Sequence, residues 1–313
     1  MLIDVPGVLV GHASGGDTGV TAVVAADPGG MVAAVDVRGG GPGTRETDLL
    51  APHNTVERVH AIVLAGGSAF GLAAADGAMR ELERAGRGFP VLGEGQPGPR
   101  IPIVPAAVIF DLFVGDPGHR PGAADGAAAV ASALDADSAS ARARGSVGAG
   151  CGATAGVLRG GVGQASVTVG EYTVAALVVA NPVGSVIDPA TGLLWGDPAR
   201  PAVDLAAFAA LEHPASALNT TIGVVATDAP VTAAQLQRLA MVGHDGIARA
   251  VRPAHSPLDG DTLFAVTTAA EPVGVGVEVL HGLCAAAADV VQAAVVDAVV
   301  SAAPGHGLGV WSA

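Results

Sequence analysis

The chain has 313 residues, 50% of them hydrophobic, which is enough to bury a large core as one big domain or two intimate ones. Aromatics make up only 3% beside 46 glycines and 21 prolines, so packing must rest on Ala, Val, Leu and Ile at close backbone approach. A net charge of −14 argues against a nucleic-acid partner, and two cysteines, Cys151 and Cys284, argue against a disulfide framework and for a reducing, cytoplasmic location.

Residues 7–37 read as short strands with glycine turns, clearest in Gly19–Val24 and Met31–Val37. Arg38–Asp48 packs its glycines and a proline into a loop with no regular element, whose backbone can approach something closely. Ala61–Ala65 is an unbroken apolar run and predicts a buried strand. Gly66-Gly67-Ser68 follows, and Ala69–Ala85 predicts a helix with Ser68 as its N-cap and Leu72, Ala75, Met79 and Leu82 on one stripe. A strand, a glycine pair and a helix start also make anion sites, but neither nucleotide-binding glycine signature is present. Glu94–Pro105 is a Pro/Gly connection, Ala106–Phe113 predicts a short apolar helix, and Ala123–Ala133 a second helix. Val147–Gly156 is another glycine-rich loop, followed by strands over Gln164–Val169 and Thr173–Ala180. Asn181-Pro182-Val183-Gly184 ends the second strand, where Asn181 either caps a turn or aims its amide into a site. Residues 189–215 have the composition of a linker.

The run 216–227 then passes from Leu218-Asn219 into a β-branched strand beginning at Thr220. If extended, Thr220, Ile222, Val224 and Ala226 share one face. A hydroxyl among core residues needs a partner or a purpose. One purpose is nucleophilic: Thr220 attacks the Asn219 carbonyl, cuts the chain before itself, and then uses its own new α-amine as a base. The plain alternatives are a strand-edge threonine and the glycosylation sequon that Asn219-Thr220-Thr221 formally matches.

Thr232–Val251 predicts a helix with Leu236, Leu239, Gly243 and Ile247 on one side. The loop Arg252–Asp261 leads into a strand over Thr262–Thr267, and Glu278–Ser301 predicts a helix apolar nearly all round, buried in a core or in an oligomer interface. No uncharged apolar span of roughly 18 residues stands out, so no membrane span is expected. Met1–Pro6 lacks the pattern of a secretory signal. Asp259 and Asp261 stand two apart at a loop-to-strand junction; extended, they point the same way and suit either a shared proton or a bound ammonium, unless they only make a solvated turn. No metal or cofactor is expected, because the nine histidines carry no ligand spacing and no G-x-S-x-G occurs.

Six ordered blocks carry a resemblance: Asp36–Gly40 with Thr44–Asp48, Gly66–Gly71, Ile103–Asp111, Gly148–Thr154, Asn219-Thr220, and His244–Arg249 running into Asp259-Gly260-Asp261. Together they resemble the peptidase family of L-aminopeptidase/D-esterases and β-aminopeptidases, and within it most the nylon-oligomer (6-aminohexanoate-oligomer) endohydrolases. The resemblance implies an α/β, four-layer αββα sandwich of the ornithine-acetyltransferase/aminopeptidase type, like an N-terminal-nucleophile hydrolase. It implies one domain, 1–313, self-cleaved into 1–219 and 220–313 and assembled as a homo-oligomer, usually a tetramer of such pairs. The nucleophile falls on Thr220, the positioning acids on Asp259 and Asp261, and the oxyanion-hole amide on Asn181. The same blocks offer Phe110, Ser68 and Cys151 as pocket residues. Two positions depart from the pattern: Val157 where many relatives carry a lysine, and Phe110 at or near a tyrosine of the nylon-oligomer enzymes.

The expected activity is hydrolysis of small linear amides or peptides with a free amine end, without nucleic acid or membrane as partner. The alternatives are release of N-terminal residues as an aminopeptidase, acyl transfer of the ornithine-acetyltransferase type, and a self-cleaved but catalytically silent binding protein.

Overall fold

β-Branched side chains are frequent in the longest extended runs, and they suit sheets packed on both faces. The structure, a computed structural model, describes residues 1–135, 139–211 and 218–312. In chain order the strands are β1 (Val8–Ser14), β2 (Gly19–Ala25), β3 (Met31–Val37), β4 (Thr44–Arg45), β5 (Arg58–Val59), β6 (Ala61–Ala65), β7 (Phe89–Pro90), β8 (Arg100–Ile101), β9 (Ala106–Val108), β10 (Thr154–Ala155), β11 (Leu158–Arg159), β12 (Gly161–Val169), β13 (Tyr172–Ala180), β14 (Ile222–Thr227) and β15 (Thr262–Thr267). The helices are α1 (Ala74–Arg84), α2 (Ala123–Leu134), α3 (Leu205–Ala209), α4 (Ala233–Ala250) and α5 (Val277–Val300).

Two large sheets result, one in the order β1-β2-β6-β9-β4 and one in the order β12-β13-β14-β15-β3-β5, beside the two-stranded pairs β7-β8 and β10-β11. They face each other across a core of Val10, Val23, Ile62 and Leu64 from the first and Leu177, Val179, Ile222, Val224 and Phe264 from the second. Helices α1 and α2 cover the outer face of the first sheet through Ala75, Ala78, Leu82 and Val130. Helices α4 and α5 cover the outer face of the second through Leu236, Leu239, Val291 and Val295. The layers are therefore αββα, as the resemblance implies. Strand β14 shows the alternation directly, with Ile222, Val224 and Ala226 in the intersheet core and Val225 against the helices.

Strand direction brings distant loops together. β14 and β15 are parallel, so the segments that lead into them, 218–221 and 252–261, arrive at the same edge. β13 and β3 run antiparallel to these neighbours, so Asn181 and the glycine loop after Arg38 leave at that edge too.

Several expectations need correction. Ala106–Phe113 is not a helix. Ala106–Val108 is β9, which pairs in parallel with β6 from Val63 to Ala65 while β4 pairs on its other side. Its alanines favour a helix locally, but burial between two strands overrides propensity. Ser68 is not the N-cap of an α-helix. A 3₁₀ turn, Ser68–Ala73, comes first, because Gly67 N–H is taken by Asp111 Oδ1 at 2.6 Å and Ser68 N–H by the Ile109 carbonyl at 2.9 Å. Arg38–Asp48 is not wholly irregular, since it contains β4. β14 starts at Ile222, two residues after Thr220. The linker-like stretch holds the short α3, while residues 212–217 lie outside the described residues. Helix α5 is long and apolar enough to cross a membrane by length and composition, yet most of that span is buried inside the fold.

Candidate active site

Thr220 lies 5% exposed at the shared edge. Its N–H donates to the Asn181 carbonyl at 2.8 Å, and its hydroxyl donates to the Asn219 carbonyl oxygen at 2.5 Å. The hydroxyl is thus held against the carbonyl of the bond that self-cleavage would break. Asn219 is fixed on both sides. Its N–H donates to the Leu258 carbonyl at 3.2 Å, and its Nδ2 donates to the Pro182 carbonyl at 3.0 Å.

Asn181 is fully buried. Thr154 N–H donates to its Oδ1 at 2.8 Å, and a backbone N–H can only donate, so the amide orientation follows. Nδ2 must then face the other way, where it donates to the Phe110 carbonyl at 3.1 Å. That carbonyl is held in place by the next residue. Buried Asp111 accepts from Thr18 Oγ1 at 2.7 Å and from Gly67 N–H, and burial pushes its carboxyl up to about 6. Thr154 and Asp111 were inside the resembling blocks, but nothing in their spacing marked them as the supports of Asn181.

The two aspartates are both 1% exposed, and each carboxylate has its own set of partners. Asp259 Oδ1 accepts from Val183 N–H at 3.0 Å, while its Oδ2 accepts from Ser256 N–H at 3.0 Å and Ser256 Oγ at 2.6 Å. It ties the 252–261 loop to the turn after β13. Asp261 Oδ1 accepts from Thr221 N–H at 2.7 Å, and its Oδ2 from His255 Nδ1–H at 2.7 Å. Gly41 N–H donates to the Asp259 carbonyl and Arg38 N–H to the Asp261 carbonyl, which fastens this segment to the glycine loop after β3. His255 was missed by sequence reasoning. Burial pulls its imidazole down, but the hydrogen bond and charge of Asp261 outweigh this and hold its pKa above the ordinary value.

The glycines of this edge exist for contact. A Cβ on Gly39 would lie 2.3 Å from Asp261 N and 2.4 Å from the Asp259 carbonyl oxygen. A Cβ on Gly260 would lie 2.8 Å from Thr220 Oγ1 and 2.6 Å from the Gly41 carbonyl oxygen. If the chain cuts itself before Thr220, Gly260→Ala should displace the hydroxyl and slow that cutting by about a hundredfold, read as the cut fraction against time with circular dichroism to confirm folding. A folded variant that cuts at the wild-type rate would remove Gly260 from the account.

The pocket candidates divide. Phe110 is half-buried beside Asn181, with its ring centroid 5.5 Å from that of the exposed Phe113. Ser68 is half-buried in the turn that Asp111 anchors. Cys151 is 1% exposed, bonded through its thiol to the Ser146 carbonyl, and out of a substrate's reach. Val157 packs at the margin of the helix-covered core, and buried Arg159 turns its guanidinium to Ser146 and the Cys151 carbonyl, so it does not stand in for a lysine. Among the described residues no cluster of His, Cys, Asp and Glu is placed to hold a metal.

The model of peptidase family S58 matches residues 1–310. An uncharacterized aminopeptidase of Mycobacterium leprae (strain TN) is 52% identical, over 86% of this chain and 78% of its own length. A 6-aminohexanoate-oligomer endohydrolase of Kocuria sp. (strain KY2) is 35% identical, over 85% of this chain and 74% of its own. Among solved structures, the L-aminopeptidase D-Ala-esterase/amidase of Ochrobactrum anthropi, a variant of the Ntn hydrolase fold, matches with a TM-score of 0.71 at 24% identity, over 96% of this chain and 86% of that one. On the match along nearly its whole length, and on the fold it shares with these enzymes, the chain belongs to peptidase family S58 and is a hydrolase of amide or peptide bonds.

Proposed function

We propose that the protein cuts itself between Asn219 and Thr220 and then hydrolyses small linear amides with Thr220 as an N-terminal nucleophile. The observation that carries this reading is the Thr220 hydroxyl, buried and hydrogen-bonded to the Asn219 carbonyl oxygen at 2.5 Å. In the cut, Thr220 Oγ1 bonds to the Asn219 carbonyl carbon, the C–N bond breaks, and the nitrogen takes a proton to become an amine. Water then hydrolyses the ester and frees the Asn219 carboxylate. In turnover the freed amine accepts the hydroxyl proton as Oγ1 attacks the substrate carbonyl. The substrate's amine leaves with a proton, and water releases the acyl group from Thr220.

Asn181 donates from Nδ2 to the developing oxyanion. Its carbonyl, which now accepts the Thr220 N–H, stays in place to hold the ammonium or orient the amine. Asp261 and Asp259 position the two segments that flank Thr220. Phe110 and Phe113 supply an apolar wall beside Asn181, which suits a linear acyl chain. None of these groups requires an α-peptide bond, so the class includes 6-aminohexanoate oligomers as well as aminopeptidase substrates. Buried, free Cys151 and Cys284 fit a reducing cytoplasm, and the exposed Val277 and Val279 of α5 fit a homo-oligomer, here assigned as a tetramer of cut pairs.

The test is a panel of amino-acid nitroanilides, β-peptides and 6-aminohexanoate oligomers, with Thr220→Ala as the blank. Turnover by the wild type alone supports the reading, and no turnover of any of them by fully cut protein favours a silent binding protein. Light scattering on the same sample should give more than one copy, and a monomer at micromolar concentration contradicts the assembly.

A further inference from the structure

Asp261 uses its two oxygens for different tasks. Oδ1 accepts the Thr221 N–H, one residue from the proposed nucleophile, at 2.7 Å. Oδ2 accepts from His255 twice, from Nδ1–H at 2.7 Å and from the backbone N–H at 3.2 Å. The terminal torsion of an aspartate is soft, so a carboxylate held through one oxygen alone can swing. The second oxygen therefore decides how firmly the first is aimed.

His255 is itself well fixed. Its ring stands edge-on to that of His244, with centroids 4.9 Å apart and planes at 72°. His244, fully buried on α4, donates from Nε2 to the Asp36 carbonyl at 3.1 Å and lies 3.5 Å from the Asp36 carboxylate. Arg38 pairs with that carboxylate at 2.6 Å. The charged and titratable groups around His255 are thus Asp261 on its own loop, His244 from α4, and Asp36 and Arg38 at the end of β3.

We propose that His255 is a positioning residue of this site: through Nδ1–H it locks Asp261, which holds the Thr221 N–H and so sets the Thr220 hydroxyl against the Asn219 carbonyl. The role rests on Thr220 being the nucleophile. The electrostatics agree with the geometry. Asp261 raises the His255 pKa despite burial, while burial lowers that of His244 to about 4, so His244 brings no competing charge near neutral pH. His255 then carries its charge, and the tighter charge-assisted bond, to higher pH than a free imidazole. As pH rises through its pKa, the charge is lost and the clamp weakens.

Two substitutions separate this role from simple packing. His255→Ala should slow the appearance of chains 1–219 and 220–313 by roughly tenfold to a hundredfold. His255→Asn, whose side-chain N–H falls where Nδ1–H was, should recover most of the rate. The ratio of wild-type to His255→Asn rates should decline with rising pH above the ordinary histidine range, since only the wild type loses a charge there. Hydrogen exchange of the Thr221 amide gives a readout free of catalysis. In the uncut Thr220→Ala chain it should be well protected, still protected with His255→Asn added, and exposed with His255→Ala added. Equal rates and equal exchange for the Asn and Ala variants would overturn the proposal, as would wild-type cutting by His255→Ala. If His255→Ala fails to fold, the pH course of the wild-type to His255→Asn ratio decides, and a flat ratio overturns it. Cutting that persists in Thr220→Ala would instead sink the nucleophile, and amide exchange would still decide the role of His255.

Discussion

Purified wild-type protein should show two chains by denaturing mass spectrometry, 1–219 and 220–313, while Thr220→Ala shows the full-length chain alone, folded and inactive. The hydroxyl is one residue from the carbonyl it is proposed to attack and already hydrogen-bonded to that carbonyl's oxygen, so no protease should be needed. Thr220→Ala removes the hydroxyl and leaves the Thr220 N–H bond to Asn181 intact, so the fold should survive. Thr220→Ser should cut more slowly, because loss of the methyl frees χ1 and the hydroxyl spends less time in its attack position. Thr221 offers a control. Its N–H is held by Asp261, and Thr221→Val keeps that bond and the side-chain shape, so cutting should continue. Cleavage of Thr220→Ala under protease-free conditions would falsify self-cleavage by Thr220. An intact wild-type chain that hydrolyses amides would do more damage, because it would take the Thr220 amine out of the chemistry.

Asn181→Ala should lower kcat by roughly a hundredfold to a thousandfold with KM little changed, the usual cost of one oxyanion donor. The amide is already aimed by Thr154 on one side and the Phe110 carbonyl on the other, so it needs no reorganisation as charge develops. Asn181→Asp makes the comparison sharper. It keeps an acceptor for Thr154 N–H but replaces the donor with an oxygen facing the Phe110 carbonyl, and so should be at least as slow. Both variants keep the backbone carbonyl that binds the Thr220 N–H, which separates loss of the donor from loss of the anchor. Steady-state kinetics on protein matured to the same extent reads the effect. A wild-type kcat in Asn181→Ala would assign the oxyanion to another group.

The period-two pattern from Thr220 to Ala226 located the nucleophile candidate at the mouth of a buried strand, and the structure keeps Ile222, Val224 and Ala226 on the intersheet face. The long helices α4 and α5 were legible because a stripe or an all-round apolar surface repeats over many turns. Ala106–Val108 was misread because alanine has no shape that separates a buried strand from a helix, and only pairing with Val63–Ala65 decides it. The partners of Asp259 and Asp261 were out of reach of any local inference, since the bonds from Arg38 and Gly41 that fasten their backbone come from more than two hundred residues away in sequence.

The sequence by itself therefore determined the elements with a strong period and offered the candidate residues for the chemistry, since each depends on neighbours a few positions away. Only the tertiary structure decided who touches whom at the site. The parallel pairing of β14 with β15, flanked by antiparallel β13 and β3, brings Asn181, Thr220, Asp261 and the loop after Arg38 to one edge. His255 acquires its place there through two hydrogen bonds to Asp261 and an edge contact with His244, and neither partner leaves a trace in local spacing. Strand order and register are set by the summed burial of two sheets and four covering helices, a property of the whole chain that no short window contains.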